Sequence, residues 1–199
     1  MSGTRLSRAP RTLRGVTLVE LIVFIVIVGV AMAGVFAAFN TITAASADPQ
    51  VRKQVLAIAE SLMDEVTLMP FTFCDPDDAN AATATSSTVG LGGCATTSED
   101  TAMGNEGESR YSAATPFDNV SDYHGFAMSS GIQDITNSTI SGLGAYSASI
   151  SVAQTGLASG ANAISAADAL KITIVVTGPG GVSTTLEGYR TRYAPNTTP

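Results

Sequence analysis

A single acidic residue stands at the start of a long apolar segment near the N-terminus. Glu20 directly precedes Leu21–Phe39, a run of about 19 residues without charge, which is close to the length that spans a bilayer. A charged side chain at membrane depth costs about 2.5–3.5 kcal/mol on insertion scales, so an acid in such a place is a functional residue by default. The segment therefore predicts a membrane-spanning helix, with a role for Glu20.

The charges on either side of this segment predict its orientation. Residues 1–15 contain four arginines and no acid, whereas the remainder has six basic residues against 17 acidic ones, a formal charge of −11. Because positive flanks stay in the cytoplasm, residues 1–15 should be cytoplasmic and the C-terminus should lie outside. The acidic excess argues against nucleic-acid binding, which needs clustered lysines and arginines.

The residues around Glu20 form a recognisable motif. Gly15 ends the basic leader, and Val16, Thr17, Leu18 and Glu20 follow. This pattern resembles the N-terminus of type IV pilins and type II secretion pseudopilins. Val16 departs from the usual phenylalanine, and Ala37 replaces the helix-kinking proline of many major pilins. The resemblance therefore implies a minor pilin of a type IV pilus, with a type II secretion minor pseudopilin as the alternative.

That resemblance implies a maturation route and a set of partners. A prepilin peptidase/methyltransferase would cleave between Gly15 and Val16 and N-methylate Val16. The subunit would stay in the inner membrane, with its C-terminus in the periplasm, until an assembly platform moves it into a filament of pilin subunits. Glu20 would pair there with the N-terminal amine of a neighbouring subunit. Removing one partner of such a buried pair costs about 3–5 kcal/mol, so the pair would set the axial register.

Three other interpretations of the N-terminus are open. A secretory signal peptide could be cleaved after Ala47, since Ala45–Ser46–Ala47 has the required small residues, and this would release a secreted binding module. Its apolar core should, however, measure about 7–15 residues, less than the run observed here. The second interpretation is a plain single-pass anchor without a filament role, and the third is the anchor of a membrane-bound enzyme. We find no phosphate-binding loop, nucleophile elbow or metal-ligand set, so we expect neither enzymatic activity nor a cofactor.

Two cysteines lie on the predicted outer side of the membrane. Oxidising compartments favour disulfides, and a Cys74–Cys94 bond would close a loop worth roughly 3 kcal/mol on the chain-entropy model. Two cysteines and the distant His124 do not provide the four ligands of a zinc site, so we predict no metal centre. Asp75, Asp77 and Asp78 form a cluster for which we expect a solvated loop, with calcium binding as the alternative.

The periodicity of the remaining chain predicts an α+β fold. Apolar residues recur every three or four positions from 49 to 69, which indicates an amphipathic helix ended by Pro70. Residues 70–130 form a long, disulfide-tethered loop. Residues 146–154, 170–177 and 182–193 alternate as strands do, which predicts an antiparallel sheet within 145–193. We therefore divide the chain into a leader (1–15), a transmembrane or filament-core helix (16–47) and a periplasmic pilin-like domain (48–199).

One further stretch narrows the resemblance. Residues 116–126 place aromatic residues among acids and turn formers, which suggests a structured loop over the sheet. This stretch is similar to one in the D-type minor pilins of the mannose-sensitive haemagglutinin pilus system. The resemblance implies a subunit that primes or caps such a filament or modulates adhesion.

Overall fold

The computed structural model of the chain describes residues 15–99 and 104–196, without the side chains of residues 41–48. Most of the predicted leader thus lies outside the described residues. The chain divides into two compact units, Met1–Ala47 and Asp48–Pro199. A single long helix, α1 (Leu18–Leu68), runs through the boundary and includes Pro49.

The first unit consists of the apolar part of α1. Thr17 caps the helix, since its Oγ1 accepts the backbone N–H of Glu20 at 3.3 Å. Leu18–Asn40 has a mean hydropathy of 2.9 and is the one described helix long and apolar enough to cross a membrane. Its large side chains are exposed, for example Phe24 (64%) and Phe36 (68%). A helix that is apolar on all sides needs a lipid or protein surrounding.

The second half of α1 has a single apolar face, as predicted. Val55, Ile58, Leu62 and Val66 are buried on this stripe, together with Ala59. Because the spacing matches the period of 3.6 residues, all five side chains point to the sheet. The helix ends at Leu68, ahead of Pro70. No basic residue lies in its last turn.

The sheet has four antiparallel strands in the sequential order β1-β2-β3-β4. Their bounds are Ala127–Met128 (β1), Ser147–Gln154 (β2), Ala169–Thr177 (β3) and Ser183–Thr191 (β4). Ile150, Ile174 and Leu186 are aligned across β2, β3 and β4 and face the helix. The predicted α+β fold is therefore confirmed: a long N-terminal helix packs on an antiparallel sheet. Strand β1 was not predicted, because two residues carry no periodic signal.

A glycine permits close contact between the helix and the β3–β4 turn. A Cβ at Gly178 would lie 2.9 Å from the side chains of Tyr146 and Val51 and 3.0 Å from Val55. Real Cβ contacts do not come this close, so the turn can meet the first helical turns of the domain only without a side chain. The sequence marks this position as a turn but does not reveal the helix beside it.

The first prediction concerns this core. Ile174→Ala should lower the free energy of unfolding by about 2–5 kcal/mol, because it leaves a cavity under the helix. Ile135→Ala is the matched control: this side chain is 62% exposed, and its loss should change stability by less than about 0.5 kcal/mol. Denaturant titration of the detergent-solubilised full chain, followed by near-UV circular dichroism, measures both. Equal losses in the two variants would contradict the assignment of the core.

Candidate functional site

The predicted processing and assembly residues lie at the start of α1. Gly15, Val16 and Thr17 precede the helix, and Glu20 is in its first turn. All four are exposed, and the Glu20 carboxylate has no ion-pair partner within the described residues. The Thr17–Glu20 spacing is also that of a capping box, so part of the motif serves to begin the helix.

The predicted disulfide is present. Cys74 and Cys94 are joined with an S–S distance of 2.09 Å, and both are fully buried. The loop between them is further closed by the backbone N–H of Cys94, which donates to Thr88 O at 2.9 Å. The long connection is thus held near its start by a covalent bond and a backbone hydrogen bond.

Asp78 has a structural role that the sequence did not reveal. It is only 8% exposed, unlike a residue of the expected solvated loop. Its carboxylate accepts the backbone N–H groups of Ala95, Thr96 and Thr97 at 2.7–3.1 Å. Burial alone would raise the pKa of Asp78, but these backbone hydrogen bonds and one from Asn80 hold that pKa well below its usual range. Asp78 therefore fastens the segment after Cys94 to the start of the loop.

The second prediction tests this attachment. Asp78→Ala should lower the free energy of unfolding by about 2–3 kcal/mol, because buried N–H groups lose a charged acceptor. Asp77→Ala, at the exposed neighbouring residue, should leave stability unchanged or slightly higher. Thermal unfolding of the two variants at neutral pH makes the comparison. If Asp77→Ala were as destabilising as Asp78→Ala, the effect would belong to the loop's charge and not to this acceptor.

Seven carboxyl groups from three parts of the chain form what we call the acidic cluster. Its members are Asp75, Asp77, Glu99, Glu106, Glu108, Asp118 and Asp122. Oxygen atoms of Asp75, Asp77, Glu108 and Asp118 all lie within 4.8 Å of one another, and so do those of Asp75, Glu99 and Glu106. Asp75 belongs to both groups. Oxygen donors at such spacing are the ligands that calcium takes.

The electrostatics of the cluster favour neutral carboxyl groups. Burial raises the pKa of Glu99 to about 9, in spite of a hydrogen bond from Ser121. Burial, with repulsion from Asp122, raises the pKa of Glu108 to about 8. The pKa values of Glu106 and Asp118 rise to about 7 through burial and the neighbouring carboxylates. Carboxyl groups packed this closely need protons or a cation to offset their repulsion.

Asp122 is buried, and its carboxylate connects the cluster to the backbone. Its Oδ2 accepts the N–H groups of Asp118 and Asn119 at 2.9 and 2.6 Å. Burial raises the pKa of Asp122 to about 6, while those hydrogen bonds act against the rise. Of these residues the sequence indicates only Asp75 and Asp77 as candidate cation ligands, because the others follow at positions up to 122 without a motif.

The only histidine lies outside the cluster's two close groups. His124 is exposed, and its Nδ1 accepts the backbone N–H of Val152 at 3.2 Å. The imidazole thus accepts a hydrogen bond at the edge of β2, at a residue of that strand that lies beyond its pairing with β1. This contact gives the imidazole a structural role at the edge of the sheet.

The third prediction follows from the raised pKa values. Because the folded-state pKa values lie above those of the unfolded chain, the cluster's favourable contribution is complete below about pH 4 and is lost progressively as pH rises from about 4 to 9, through the folded-state pKa values. The free energy of unfolding should therefore fall across that range, and Ca²⁺ should raise the unfolding temperature at about pH 8 but not at about pH 5.

Two variants make this prediction specific. Glu108→Gln should flatten the pH dependence and reduce the effect of Ca²⁺, whereas Glu60→Gln, an exposed helix residue, should leave both unchanged. Differential scanning calorimetry with a chelator and with Ca²⁺ measures them. A stability that does not depend on pH, together with no effect of Ca²⁺, would contradict the prediction. It would show that neither protons nor Ca²⁺ offset the repulsion between these carboxylates.

Comparison of the chain with protein-family models, with curated proteins and with solved structures finds no match. The local geometry and the sequence motif therefore carry the functional argument.

Proposed function

We propose that this chain is a minor pilin of a type IV pilus, similar to the D-type subunits of the mannose-sensitive haemagglutinin system. The observation that carries the proposal is the exposed apolar helix Leu18–Asn40, with Glu20 in its first turn and no ion-pair partner for its carboxylate among residues 15–99 and 104–196. In this proposal the helix is first a membrane anchor and later part of a filament core. Prepilin peptidase cleavage after Gly15 separates the two stages.

The apolar helix Leu18–Asn40 needs surroundings other than water. Its apolar side chains are exposed on every side, so water is an unfavourable surrounding. Both a bilayer and a bundle of like helices would cover them. The carboxylate distinguishes these surroundings, because a bundle of cleaved subunits supplies a positive N-terminal amine at the height of Glu20 and lipid does not. We infer that Glu20 selects the bundle and fixes its register.

The second unit supports an extracytoplasmic location. A disulfide closes its long loop, as is common in oxidising compartments. The chain beyond the leader is acidic, which disfavours contact with nucleic acid. We propose that this domain is a structural and recognition module without catalytic activity. Its partners would be other pilins, the peptidase and the assembly platform of the inner membrane.

The fourth prediction concerns Glu20. Glu20→Gln should insert and be cleaved normally but fail to enter filaments, because the neighbour's amine would remain buried without its partner, at about 3–5 kcal/mol. Glutamine keeps the size and the capping capacity of glutamate, so helix formation is preserved. Glu60→Gln, an exposed acid on the same helix, should assemble like the wild type. The measurement is the fraction of subunit in sheared filaments; equal fractions for the two variants would refute the register role.

The N-terminus of the mature chain decides between the open interpretations. Intact-mass analysis from cells with and without prepilin peptidase should find a start at N-methylated Val16 only when the peptidase is present. A start at Asp48 would establish a released module, and an uncut chain would establish a plain anchor. Isolation with a secretion pseudopilus in place of a pilus would favour the pseudopilin alternative.

A further inference from the structure

A pocket opens where the sheet extends past the end of α1. Its volume is about 480 Å³, within the range of small-molecule sites. Its walls come from the helix end and the following turn, the loop before Asp118 and the end of β4. The main apolar contributors are Met69, Pro70, Phe71, Phe117 and Tyr193. Tyr193 remains 72% exposed at its side. An apolar pocket of this size needs an oriented polar group to be selective.

Arg190 supplies that polar group. Its Nη2 donates to Met69 O at 3.1 Å, which places a cation at the helix C-terminus, and to the Tyr193 hydroxyl at 3.3 Å. The guanidinium also lies over the Tyr193 ring, 4.8 Å from its centroid. These contacts fix the side chain but use only part of its five-donor capacity.

Arg190 lacks the carboxylate partner that three other cations of the domain have. Arg110 binds Glu65 at 2.6 Å, Lys171 binds Glu187 at 2.7 Å, and Arg192 lies 3.5 Å from Asp168. Within the described residues Arg190 forms no ion pair, although the chain has a large excess of acids. The nearest acid in the pocket wall is Asp118, whose carboxylate belongs to the acidic cluster.

From this arrangement we propose that the pocket binds a small carboxylic acid with an apolar body, the carboxylate on Arg190 and the body against Phe71, Phe117 and Tyr193. Arg–carboxylate pairs are directional and can be bidentate, and the apolar walls strengthen such a pair by excluding water. Arg190 is the one cation among the residues that line the pocket, so the ligand carries one carboxylate. This inference does not depend on the filament role.

The experiment compares matched probes on the full chain in lipid nanodiscs. The probes are 3-phenylpropionate, its uncharged amide, and acetate, which has the charge without the ring. We expect the acid to bind at least about tenfold more tightly than the amide, and acetate to bind more weakly than the acid. Binding should shift the methyl resonance of Met69, read by NMR against empty nanodiscs as the blank.

Variants assign the selectivity to Arg190. Arg190→Gln should abolish the preference for the acid over the amide, whereas Arg190→Lys, which keeps the charge, should retain most of it. Lys171→Gln removes a paired cation from the neighbouring strand and should change nothing. Circular dichroism confirms that each variant is folded. Equal affinity of acid and amide, selectivity that survives Arg190→Gln, or the absence of any shift at Met69 would overturn the proposal.

Discussion

Packing of one helix face against the sheet is the contact on which the rest of the domain depends. Val55, Ile58, Leu62 and Val66 supply that face, and the central strand β3 supplies the opposite surface with three fully buried residues, Ile172, Ile174 and Val176. Each such side chain contributes about 1.5–3 kcal/mol when it leaves water. The same helix has no such face over Leu18–Asn40, where its large apolar side chains are exposed. One element is thus built for two surroundings, and the change in periodicity along it marks the boundary between them.

The loop that follows the helix is ordered by polar contacts in place of a large apolar core. Glu65 holds it from the helix: Arg110 donates to both of its carboxylate oxygens at 2.6 and 2.8 Å, and the Tyr123 hydroxyl donates at 2.9 Å. Further donors of Arg110 reach the carbonyls of Gln133 and Asp134. Because every partner is itself hydrogen-bonded, this buried pair specifies how the loop lies on the helix. The acidic cluster acts in the opposite sense, since its ionisation repels the segments that this pair holds together.

The parts of the fold that could be predicted are those with a periodic sequence pattern. Apolar residues recur about every 3.6 positions on the helix face and every second position in the three longer strands, and such patterns can be recognised in a single sequence. The disulfide is predicted by two cysteines in a segment that the charge pattern places outside the cytoplasm. Strand β1 was missed because Ala127–Met128 is too short to alternate. Asp78 was grouped with Asp75 and Asp77 because composition does not reveal that three amides downstream converge on one carboxylate.

The acidic cluster and the pocket around Arg190 show why the remaining sites were not predictable. Each brings together residues from segments tens of positions apart, and each depends on the loop path that the disulfide and the Glu65–Arg110 pair determine. Asp118 lies at the junction of the two, since it lines the pocket and its carboxylate lies among the other acids. A change in the charge of the cluster would therefore act on the wall of the pocket. If a cation or protons neutralise the cluster, the repulsion between Asp118 and the other carboxyl groups is removed. If the cluster ionises without a counter-charge, that repulsion acts on the segment that forms this wall.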